Sequence, residues 1–393
     1  MSTYNSPLKK VAYLLSLNLT KYGGIIKKIL TQAEYWQKQN ITVEIFCLSP
    51  DYNGKEILEN SSIPVNIYLE GDKINVLWEM SKSLINIKNI YADLHRDIET
   101  FNPDIIYFRN TYYQPYMPRL FSLFPTIAEI NTNEWTEYRM LSKISNKYKF
   151  AYIYYLFTSK RIFSLIKGAC LVTYEMQGSL KHYLKEIPFK TEVIPNSINI
   201  YKSSRRKSSH PNSTIPKLVF IGTPGMPWHG VDKIIELASK TTNELEFHII
   251  GFDQKDFPIF SQNVIFYGVL PKDRYEEVIA SCDIGLGTMA LYRKQMNEAC
   301  PLKVREYLSL GLPIIIGYEE TAFIKEVELP DWVLKLPNNA GKLSSNREDI
   351  ISFSKKNKDR VLKKEEIEKY IDVSSLEFQR ITFFQDVMNM HRK

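Results

Sequence analysis

Residues 298–316 read EACPLKVREYLSLGLPIII, and this stretch decides the fold of the second half of the chain. Pro301 suits the first position of a helix, where its missing N–H would have had no partner. Gly311 suits the left-handed residue that ends a helix. The apolar run at residues 312–316 is typical of a fully buried strand in a parallel sheet. The stretch therefore predicts a loop, a helix, a glycine stop and a buried strand.

The start of the predicted helix has the properties of an anion site. The N–H groups of Leu302 and Lys303 lie at the positive end of the helix dipole, and the Lys303 ammonium adds a mobile charge beside them. Glu298 lies just before the helix and Glu306 lies within it. A carboxylate accepts two hydrogen bonds from neighbouring hydroxyls, so each glutamate suits a sugar or ribose diol. Together these residue types suit a ligand that is both a diphosphate and a sugar.

The Glu-x7-Glu spacing alone proves little, because it recurs in this chain. The alternative is a surface helix on which Lys303 and Glu306 form an i,i+3 ion pair. The same spacing occurs at Glu129/Glu137, Glu236/Glu244 and Glu320/Glu328. The surrounding sequence has to decide between the two interpretations.

The composition is that of a soluble globular protein with room for two domains. The 393 residues are 44% hydrophobic and 24% charged, and the net charge is +7. This modest excess suits anionic small molecules or an acidic membrane surface, and it does not argue for nucleic acid. The cysteines form no CxxC pair and no Cys/His cluster, so we expect reduced thiols and no zinc site. They are Cys47, Cys170, Cys282 and Cys300.

Nothing in the sequence predicts secretion or a membrane span. The N-terminus lacks the apolar core of a signal peptide. The longest apolar run, residues 150–157, is far short of the ~18–20 residues that a spanning helix needs. No Asp-x-Asp motif occurs, so we expect no divalent-metal site. These features predict a cytoplasmic protein.

Each half of the chain alternates short apolar runs with helical patterns, which predicts parallel sheets covered by helices. In the first half, Gly23 and Gly24 precede a helix that extends to about residue 39, and a long helix covers residues 76–101. The strands predicted there are residues 11–17, 42–48, 65–69, 104–108, 126–130, 170–173 and 191–194. In the second half the predicted strands are residues 218–222, 246–250, 264–267, 283–287, 312–316 and 332–336.

A break in this pattern gives the domain boundaries. Residues 202–214 are rich in Ser and charge and almost free of apolar side chains. We expect residues 1–200 to form a first domain, residues 201–215 an exposed boundary loop and residues 216–373 a second domain. A helix at residues 374–393 would pack back on the first domain. Two Rossmann-like, doubly wound α/β domains facing across a cleft would bind ligands at the carboxyl ends of their strands.

At residues 281–316 the chain resembles the GT-B-fold retaining glycosyltransferases, in particular the bacterial enzymes that build cell-surface polysaccharides. This segment has the acidic strand end of the family, the Glu-x7-Glu box around Pro-Leu-Lys, and then Glu-Tyr-Leu and Gly-Leu-Pro. Residues 220–232 resemble the strand and loop that open the donor domain. Residues 194–198 resemble the segment that leads into the linker, and Gly23 and Gly24 match the N-terminal glycine loop.

The resemblance implies a role for each residue of the box. Glu306 would hold the ribose of a nucleotide-sugar, and Glu298 would contact hydroxyls of the donor sugar as part of the catalytic set. Leu302 and Lys303 would bind the diphosphate, and Lys303 would also stabilise it as it leaves. The nucleotide-sugar is the donor substrate, and no separate cofactor is implied.

In the first domain the resemblance implies the acceptor side. Residues 129–132 resemble the acceptor-side loop, where Glu129 is a candidate catalytic residue. Gly23 and Gly24 would let the backbone approach the phosphates or the acceptor closely, as only glycine can; an ordinary turn before a helix is the alternative. Asn131 stands where some members have a His. The family needs no His base, because a phosphate oxygen of the donor takes the proton of the acceptor.

The loop at residues 222–230 departs from the family. Many members have an Arg and a Lys there, and both contact the leaving diphosphate. This loop contains neither, and His229 stands where the Lys would be. A neutral His stabilises a diphosphate less than a permanent cation does. The charge would then come from Arg293, Lys294 and Lys303 or from a protonated His229, or else the enzyme would be weak.

Residues 147–161 mix basic and aromatic side chains. Such a segment could rest on the anionic inner face of a membrane, where lipid-linked acceptors reside. A core helix of the first domain is the alternative that the sequence favours. Peripheral contact with a membrane stays open beside it.

We therefore predict a retaining, metal-independent glycosyltransferase. It would move a sugar from a nucleotide-diphosphate sugar to a saccharide or lipid-linked acceptor in surface polysaccharide biosynthesis. A nucleotide-sugar epimerase of the same fold is one alternative. A non-catalytic subunit that supports a partner transferase is another, and the missing Arg/Lys pair keeps it open. A Rossmann dehydrogenase is disfavoured, because no first strand is followed by G-x-G-x-x-G.

Overall fold

The computed structural model describes residues 7–17, 19, 23–50, 61–69, 80–143, 146–200, 214–258 and 261–391. The chain divides into two compact units. Unit 1 comprises Met1–Ile194 and Val373–Lys393, and unit 2 comprises Pro195–Asp372. The second unit thus begins a few residues before the predicted boundary loop, most of which lies outside the described residues.

Unit 1 contains a parallel sheet whose described strands follow the order β3-β2-β1-β4-β5-β6-β7. A sheet with helices on both faces buries whole strands, so its strands read as near-continuous apolar runs. β1, for example, is buried from Val11 to Leu15. The bounds are β1 Lys10–Ser16, β2 Thr42–Ser49, β3 Val65–Leu69, β4 Ile105–Arg109, β5 Thr126–Ile130, β6 Gly168–Leu171 and β7 Lys190–Val193.

The helices of unit 1 include the C-terminal helix, numbered in chain order as α12. They are α1 Gly23–Lys38, α2 Met80–Phe101, α3 Met117–Leu123, α4 Glu134–Leu141, α5 Asn146–Leu165, α6 Glu175–Leu184 and α12 Val373–His391. The first residues of the helix predicted at residues 76–101 lie outside the described part of the chain. α12 packs on α1, where the rings of Trp36 and Phe384 lie 5.3 Å apart and the Trp36 indole N–H donates to Glu377 at 3.0 Å.

Unit 2 repeats the architecture with strand order β10-β9-β8-β11-β13-β15, again parallel in every described pair. Its strands are β8 Lys217–Ile221, β9 Glu246–Ile250, β10 Val264–Phe266, β11 Ile284–Leu286, β13 Ile314–Ile316 and β15 Val333–Lys335. Its helices are α7 Val231–Ala238, α8 Lys272–Ala280, α9 Leu302–Ser309, α10 Arg347–Lys356 and α11 Lys364–Ile371. Both units are doubly wound α/β sheets, so the predicted fold class is confirmed.

Unit 2 also contains a small parallel sheet that the sequence does not predict. It pairs β12 Glu298–Ala299 with β14 Glu319–Glu320. A strand of two residues is too short to show the alternation on which strand prediction depends. The consequence for the site is that Glu298 lies in a hydrogen-bonded ladder and not in a free loop.

The end of α9 lies where the sequence predicts it, and its start differs by one residue. Gly311 has φ +87°, and a Cβ on it would lie 2.9 Å from Val361 Cγ1, so the glycine stop is confirmed. Pro301 has φ −71° and ψ 139° and therefore precedes the helix, which begins at Leu302. The extended ψ of Pro301 excludes it from the first turn, where the sequence pattern predicts it.

The helix predicted at residues 147–161 is α5, and its burial is divided between two faces. Tyr155 and Ser159 are buried, as expected of a core helix. Phe150 and Phe157 are 74% and 82% exposed, which a core helix does not explain. None of the helices in the described ranges is long and apolar enough to cross a membrane.

Candidate functional site

The start of α9 lies beside the carboxyl end of β8, since Lys303 contacts Ile221, the last residue of that strand. No side chain caps this helix, since Pro301 is the cap residue. The N–H groups of Leu302 and Lys303 are the first of the helix, and they have no partner within it. The predicted diphosphate-binding residues therefore stand together at the positive end of the helix dipole.

Lys303 is partly buried against β8. Its Nζ donates to the carbonyl oxygen of Ile221 at 3.0 Å and lies 3.8 Å from the centre of the Phe220 ring. Within the described ranges no carboxylate forms an ion pair with it. Burial holds the pKa of Lys303 well below its ordinary value. In the free protein the desolvated ammonium is stabilised by this carbonyl and by the face of this ring. An anion that bound beside it would stabilise the charged form further.

Tyr307 and Lys303 bind the backbone of the same residue of β8. The Ile221 N–H donates to the Tyr307 hydroxyl at 2.8 Å, while the Ile221 carbonyl accepts from Lys303. The Tyr307 ring packs so closely on β11 that a Cβ on Gly285 would lie 2.4 Å from it. Tyr307 is a functional candidate that was not predicted from the sequence, although its i,i+4 spacing from Lys303 places both residues on one helix face.

The two glutamates of the predicted box occupy different environments. Glu306 is partly buried, and the Tyr275 hydroxyl of α8 donates to its Oε1 at 3.4 Å. Burial, and then the charge of Glu306, raises the pKa of Tyr275, so this phenol stays protonated and can donate. Glu298 is buried, and its backbone is paired with Glu319 in the parallel ladder of β12 and β14.

The loop at residues 222–230 is closely packed around His229. A Cβ on Gly222 would lie 2.9 Å from His229 Nδ1 and 2.6 Å from the Phe220 ring, so the loop needs glycine there. The Thr223 N–H donates to His229 Nδ1 at 3.4 Å, which makes Nδ1 an acceptor. Burial, and then the charges of Lys303 and Lys294, hold the pKa of His229 well below its ordinary value. The geometry favours a neutral His229 over the protonated one considered above.

Arg293 is held by a neighbouring acid. Its guanidinium donates to both carboxylate oxygens of Asp232, at 2.8 and 2.6 Å, and to the Pro227 carbonyl at 2.8 Å. In this bidentate ion pair the negative charge of Asp232 balances the positive charge of Arg293. Lys294 is buried, with its Nζ 4.8 Å from the centre of the Trp228 ring. The charge of Arg293 is therefore paired with Asp232, whereas within the described residues Lys303 has a carbonyl and a ring as its neighbours and no carboxylate.

A cluster of buried polar side chains that the sequence did not predict connects α9 to β14. Arg305 is fully buried and donates to Glu320 at 2.9 Å, to the Asn196 carbonyl at 2.9 Å and to Cys300 Sγ at 2.9 Å. Burial raises the pKa of Glu320, and Arg305 opposes that rise. Arg305 thereby joins α9 to β14 and to the first residues of unit 2. The sequence does not indicate this burial, because an Arg within an amphipathic pattern does not by itself show that its side chain is buried.

The remaining predicted residues belong to unit 1. Gly23 and Gly24 are the first residues of α1. Glu129 is fully buried at the end of β5, where its carboxylate contacts Lys28 at 2.7 Å and Arg109 at 3.2 Å and accepts from the Tyr13 hydroxyl at 3.2 Å. Burial alone would raise its pKa, but Lys28 and then Arg109 outweigh burial and hold the pKa of Glu129 well below its ordinary value. Its catalytic role stays a prediction.

The predicted site residues thus fall into two groups, one in each unit. Unit 2 brings together the residues of α9, the 222–230 loop and the neighbouring segment that carries Arg293. Unit 1 holds Gly23, Gly24 and Glu129. In the described part of the chain, no three His, Cys, Asp or Glu side chains gather in an arrangement that could hold a metal ion.

Solved glycosyltransferases share this fold. HepE of Anabaena, solved with UDP and glucose, matches at a TM-score of 0.65 and 13% identity over 96% of this chain and 100% of its own. Sucrose-phosphate synthase of Thermosynechococcus elongatus matches at 0.64 and 11% identity over 96% of this chain and 99% of its own. The lipopolysaccharide outer core galactosyltransferase WaaB matches at 0.61 and 14% identity over 95% and 99%.

At these identities the likeness shows the fold, which is GT-B, and the activity has to be argued from the site. No family model matches the chain. No curated protein matches it in sequence.

Proposed function

We propose that this chain is a retaining, metal-independent glycosyltransferase. It would move a sugar from a nucleotide-diphosphate sugar to a saccharide or lipid-linked acceptor. The observation that carries the proposal is Lys303, a desolvated cation without a described ion-pair partner beside the free N–H groups of α9. HepE, solved with UDP and glucose, and the galactosyltransferase WaaB support this class of substrate.

The diphosphate would lie at the start of α9. The N–H groups of Leu302 and Lys303 and the Lys303 ammonium would donate to its oxygens. Negative charge grows on the diphosphate as the sugar leaves, and a preorganised cation in a site of low dielectric stabilises that charge strongly. Because Tyr307 and Lys303 share the backbone of Ile221, the ammonium is oriented before the donor binds.

The glutamates would hold the two sugars of the donor. Glu306 would accept hydrogen bonds from the ribose hydroxyls, with Tyr275 donating to its other side. Glu298 would accept from the hydroxyls of the transferred sugar. The ladder fixes the backbone of Glu298, and its buried carboxylate would orient the sugar. Holding the reacting groups in the correct orientation removes much of the entropic barrier to such a transfer.

A proton acceptor from the protein is not required by this proposal. Retention would follow from attack on the same face as the leaving diphosphate, whose oxygen takes the acceptor proton. Glu129 is a weak base, because Lys28 and Arg109 hold its carboxylate ionised. Neutral His229 would hydrogen-bond to the donor and not neutralise its charge. We further propose that the acceptor belongs to a surface polysaccharide.

A panel of nucleotide-sugars tests the proposal. One donor is expected to release nucleoside diphosphate slowly on its own and faster with acceptor, and the product is expected to keep the anomeric configuration of the donor by NMR. Glu306→Gln is expected to lower turnover about tenfold or more, since the amide keeps one acceptor oxygen but loses the charge and the second acceptor that the ribose hydroxyls would use. Glu348→Gln, at an exposed position of α10, is the matched control. Inversion of configuration would contradict the proposed mechanism.

A non-catalytic subunit is the second candidate. It is favoured by the loop at residues 222–230, which carries no Arg or Lys, and by Arg293, which Asp232 already neutralises. Tight binding of one donor without turnover, with a lysate pool of acceptors present, would select it. Interconversion of two nucleotide-sugars would instead select an epimerase.

A further inference from the structure

The exposed face of α5 carries an apolar stripe. Phe150, Ile153, Tyr154 and Phe157 follow the i, i+3, i+4, i+7 pattern and so share one face of the helix. They are 74%, 44%, 45% and 82% exposed, and Leu156 beside them is 39% exposed. The opposite face, with Tyr155 and Ile162, is buried in unit 1. Large apolar side chains in contiguous exposure mark a contact surface.

The net charge of the whole protein is concentrated around this helix. Residues 138–174 contain seven Lys or Arg and no Asp or Glu. The whole chain has 51 basic and 44 acidic residues, so the rest of it carries 44 of each and is neutral. The basic residues are Arg139, Lys143, Lys147, Lys149, Lys160, Arg161 and Lys167. The whole positive excess of the chain thus falls within residues 138–174.

The stripe and the charges belong to one surface that is already ordered. The Arg161 guanidinium lies 4.8 Å from the centre of the Tyr113 ring. The Tyr154 hydroxyl donates to the Tyr113 carbonyl at 3.0 Å, which ties α5 to the loop after β4. Lys149 and Lys160 are exposed at the edge of the stripe. We call the surface made by Phe150, Ile153, Tyr154, Phe157, Lys149 and Lys160 the α5 face.

We propose that the α5 face binds an anionic lipid bilayer, with α5 lying along the membrane surface. Its aromatic and aliphatic side chains would enter the boundary between headgroups and acyl chains, and its lysines would pair with anionic headgroups. This proposal is independent of the sugar transfer proposed above.

Two other occupants fit the face less well. A second copy of the chain would bring the same concentrated positive charge against it, and like charges across an interface repel. A nucleic acid would satisfy the charge and stack on the aromatic rings, but Ile153 and Leu156 would gain nothing from bases. Acyl chains satisfy the aliphatic and the aromatic members together.

Sedimentation of the full-length protein with vesicles tests the proposal. Binding is expected to vesicles that contain phosphatidylglycerol, to be weak with phosphatidylcholine alone, and to fall as salt is raised. Phe150→Ser/Phe157→Ser is expected to abolish it at all salt concentrations. Lys149→Glu/Lys160→Glu is expected to weaken it by at least about 25-fold, at about fivefold for each charge removed.

Matched controls separate the α5 face from general effects. Phe378→Ser removes a Phe of unit 1 that is 63% exposed on α12, and Lys38→Glu/Lys240→Glu reverses two exposed charges elsewhere. Both are expected to bind vesicles as the natural chain does, and thermal melting checks that every variant folds. Equal binding by the Phe150/Phe157 variant and the natural chain would overturn the proposal. Dimerisation that the Phe150/Phe157 variant loses, or oligonucleotide binding without vesicle binding, would also overturn it and name the other occupant.

Discussion

At the scale of single residues, Lys303 has opposite effects on the stability of the fold and on the binding of an anion. Its ammonium is held out of water by Phe220 and Ile221, which lowers its pKa and makes the charged form unfavourable in the free protein. The same desolvation makes the charge effective toward a diphosphate, because screening by water is weak there. When such a residue is replaced, binding weakens while the free energy of unfolding rises, and these opposite changes identify it.

Lys303→Met is therefore expected to weaken nucleoside diphosphate binding and to stabilise the fold. The affinity is expected to fall about 10- to 100-fold, the loss of one charge-assisted hydrogen bond in a buried place. The free energy of unfolding is expected to rise, because a folded-state pKa below the unfolded one means that the charge disfavours folding at neutral pH. Calorimetric titration and urea unfolding measure the two quantities. A fall in both would mean that Lys303 has a structural role.

Binding of the diphosphate is expected to take up a proton. A bound anion raises the pKa of Lys303 from its depressed value, so a proton is taken up wherever the pH lies between the pKa of the free and of the bound protein, and affinity falls as pH rises through that range. Calorimetry at about pH 8 and above, where a free nucleoside diphosphate is fully ionised, in two buffers of different ionisation enthalpy measures the uptake and its pH dependence. Lys303→Met is expected to abolish it; equal uptake in both proteins would assign the proton to another group.

At the scale of elements, α9 is positioned from both ends. Tyr307 and Lys303 hold its first turns on β8, and Arg305 ties it to β14 through Glu320. Gly311 ends it in the left-handed region, at φ +87°. The chemistry proposed for α9 depends on this rigidity, since the N–H groups at its start act by direction as well as by charge.

Gly311→Ala is expected to destabilise the protein by more than backbone strain alone. The left-handed conformation costs a residue with a Cβ about 1–2 kcal/mol, and here the Cβ would also lie 2.9 Å from Val361 Cγ1. Gly225 is a matched control, because it has φ +80° and nothing within 4 Å of its Cβ position. Urea unfolding of Gly225→Ala gives the strain, and that of Gly311→Ala gives strain plus clash. Equal losses would show that the loop after α9 yields freely.

The sequence predicts those elements whose signal is local. The strands of both sheets are recognisable because burial on both faces produces continuous apolar runs, and Gly311 because its backbone angle excludes other residues. β12 and β14 are too short for a pattern. Arg305 and Tyr307 escape prediction because their partners, Glu320 and Ile221, are distant in sequence. α5 has one buried and one exposed apolar face, and hydrophobic patterns alone do not tell them apart.

At the scale of the whole molecule, buried polar and charged side chains connect the sheet of unit 1 to its C-terminal helix α12. Glu129 contacts Lys28 and Arg109, and the Gln32 side chain connects the Tyr13 hydroxyl above Glu129 to Glu377 of α12. Breaking a buried ion pair from one side leaves an uncompensated charge, which is far more costly than the pair itself. The stability of the sheet and of its C-terminal helix is thereby coupled to one carboxylate.

Unit 1 is expected to lose stability in acid through Glu129. Its pKa in the folded state lies below that of the unfolded chain, so its contribution is complete above about pH 4.3 and declines as pH falls below that value. Glu129→Gln is expected to lower the free energy of unfolding by about 3–5 kcal/mol at neutral pH and to flatten its acid dependence. Urea unfolding followed between neutral pH and about pH 3 measures both. A parallel acid limb in the variant would contradict this assignment.

The return of the chain to unit 1 has a consequence for protein synthesis. Unit 2 is continuous from Pro195 to Asp372 and is closed by a backbone bridge between Ile198 and Asp372. The core of unit 1 contains Phe384 and its neighbours on α12, which are translated after all of unit 2. At ~5–20 residues per second, roughly 10–40 s of elongation separate the two parts of unit 1. Unit 2 is thus the first unit whose residues have all been synthesised, while unit 1 still lacks the helix α12 that completes its core.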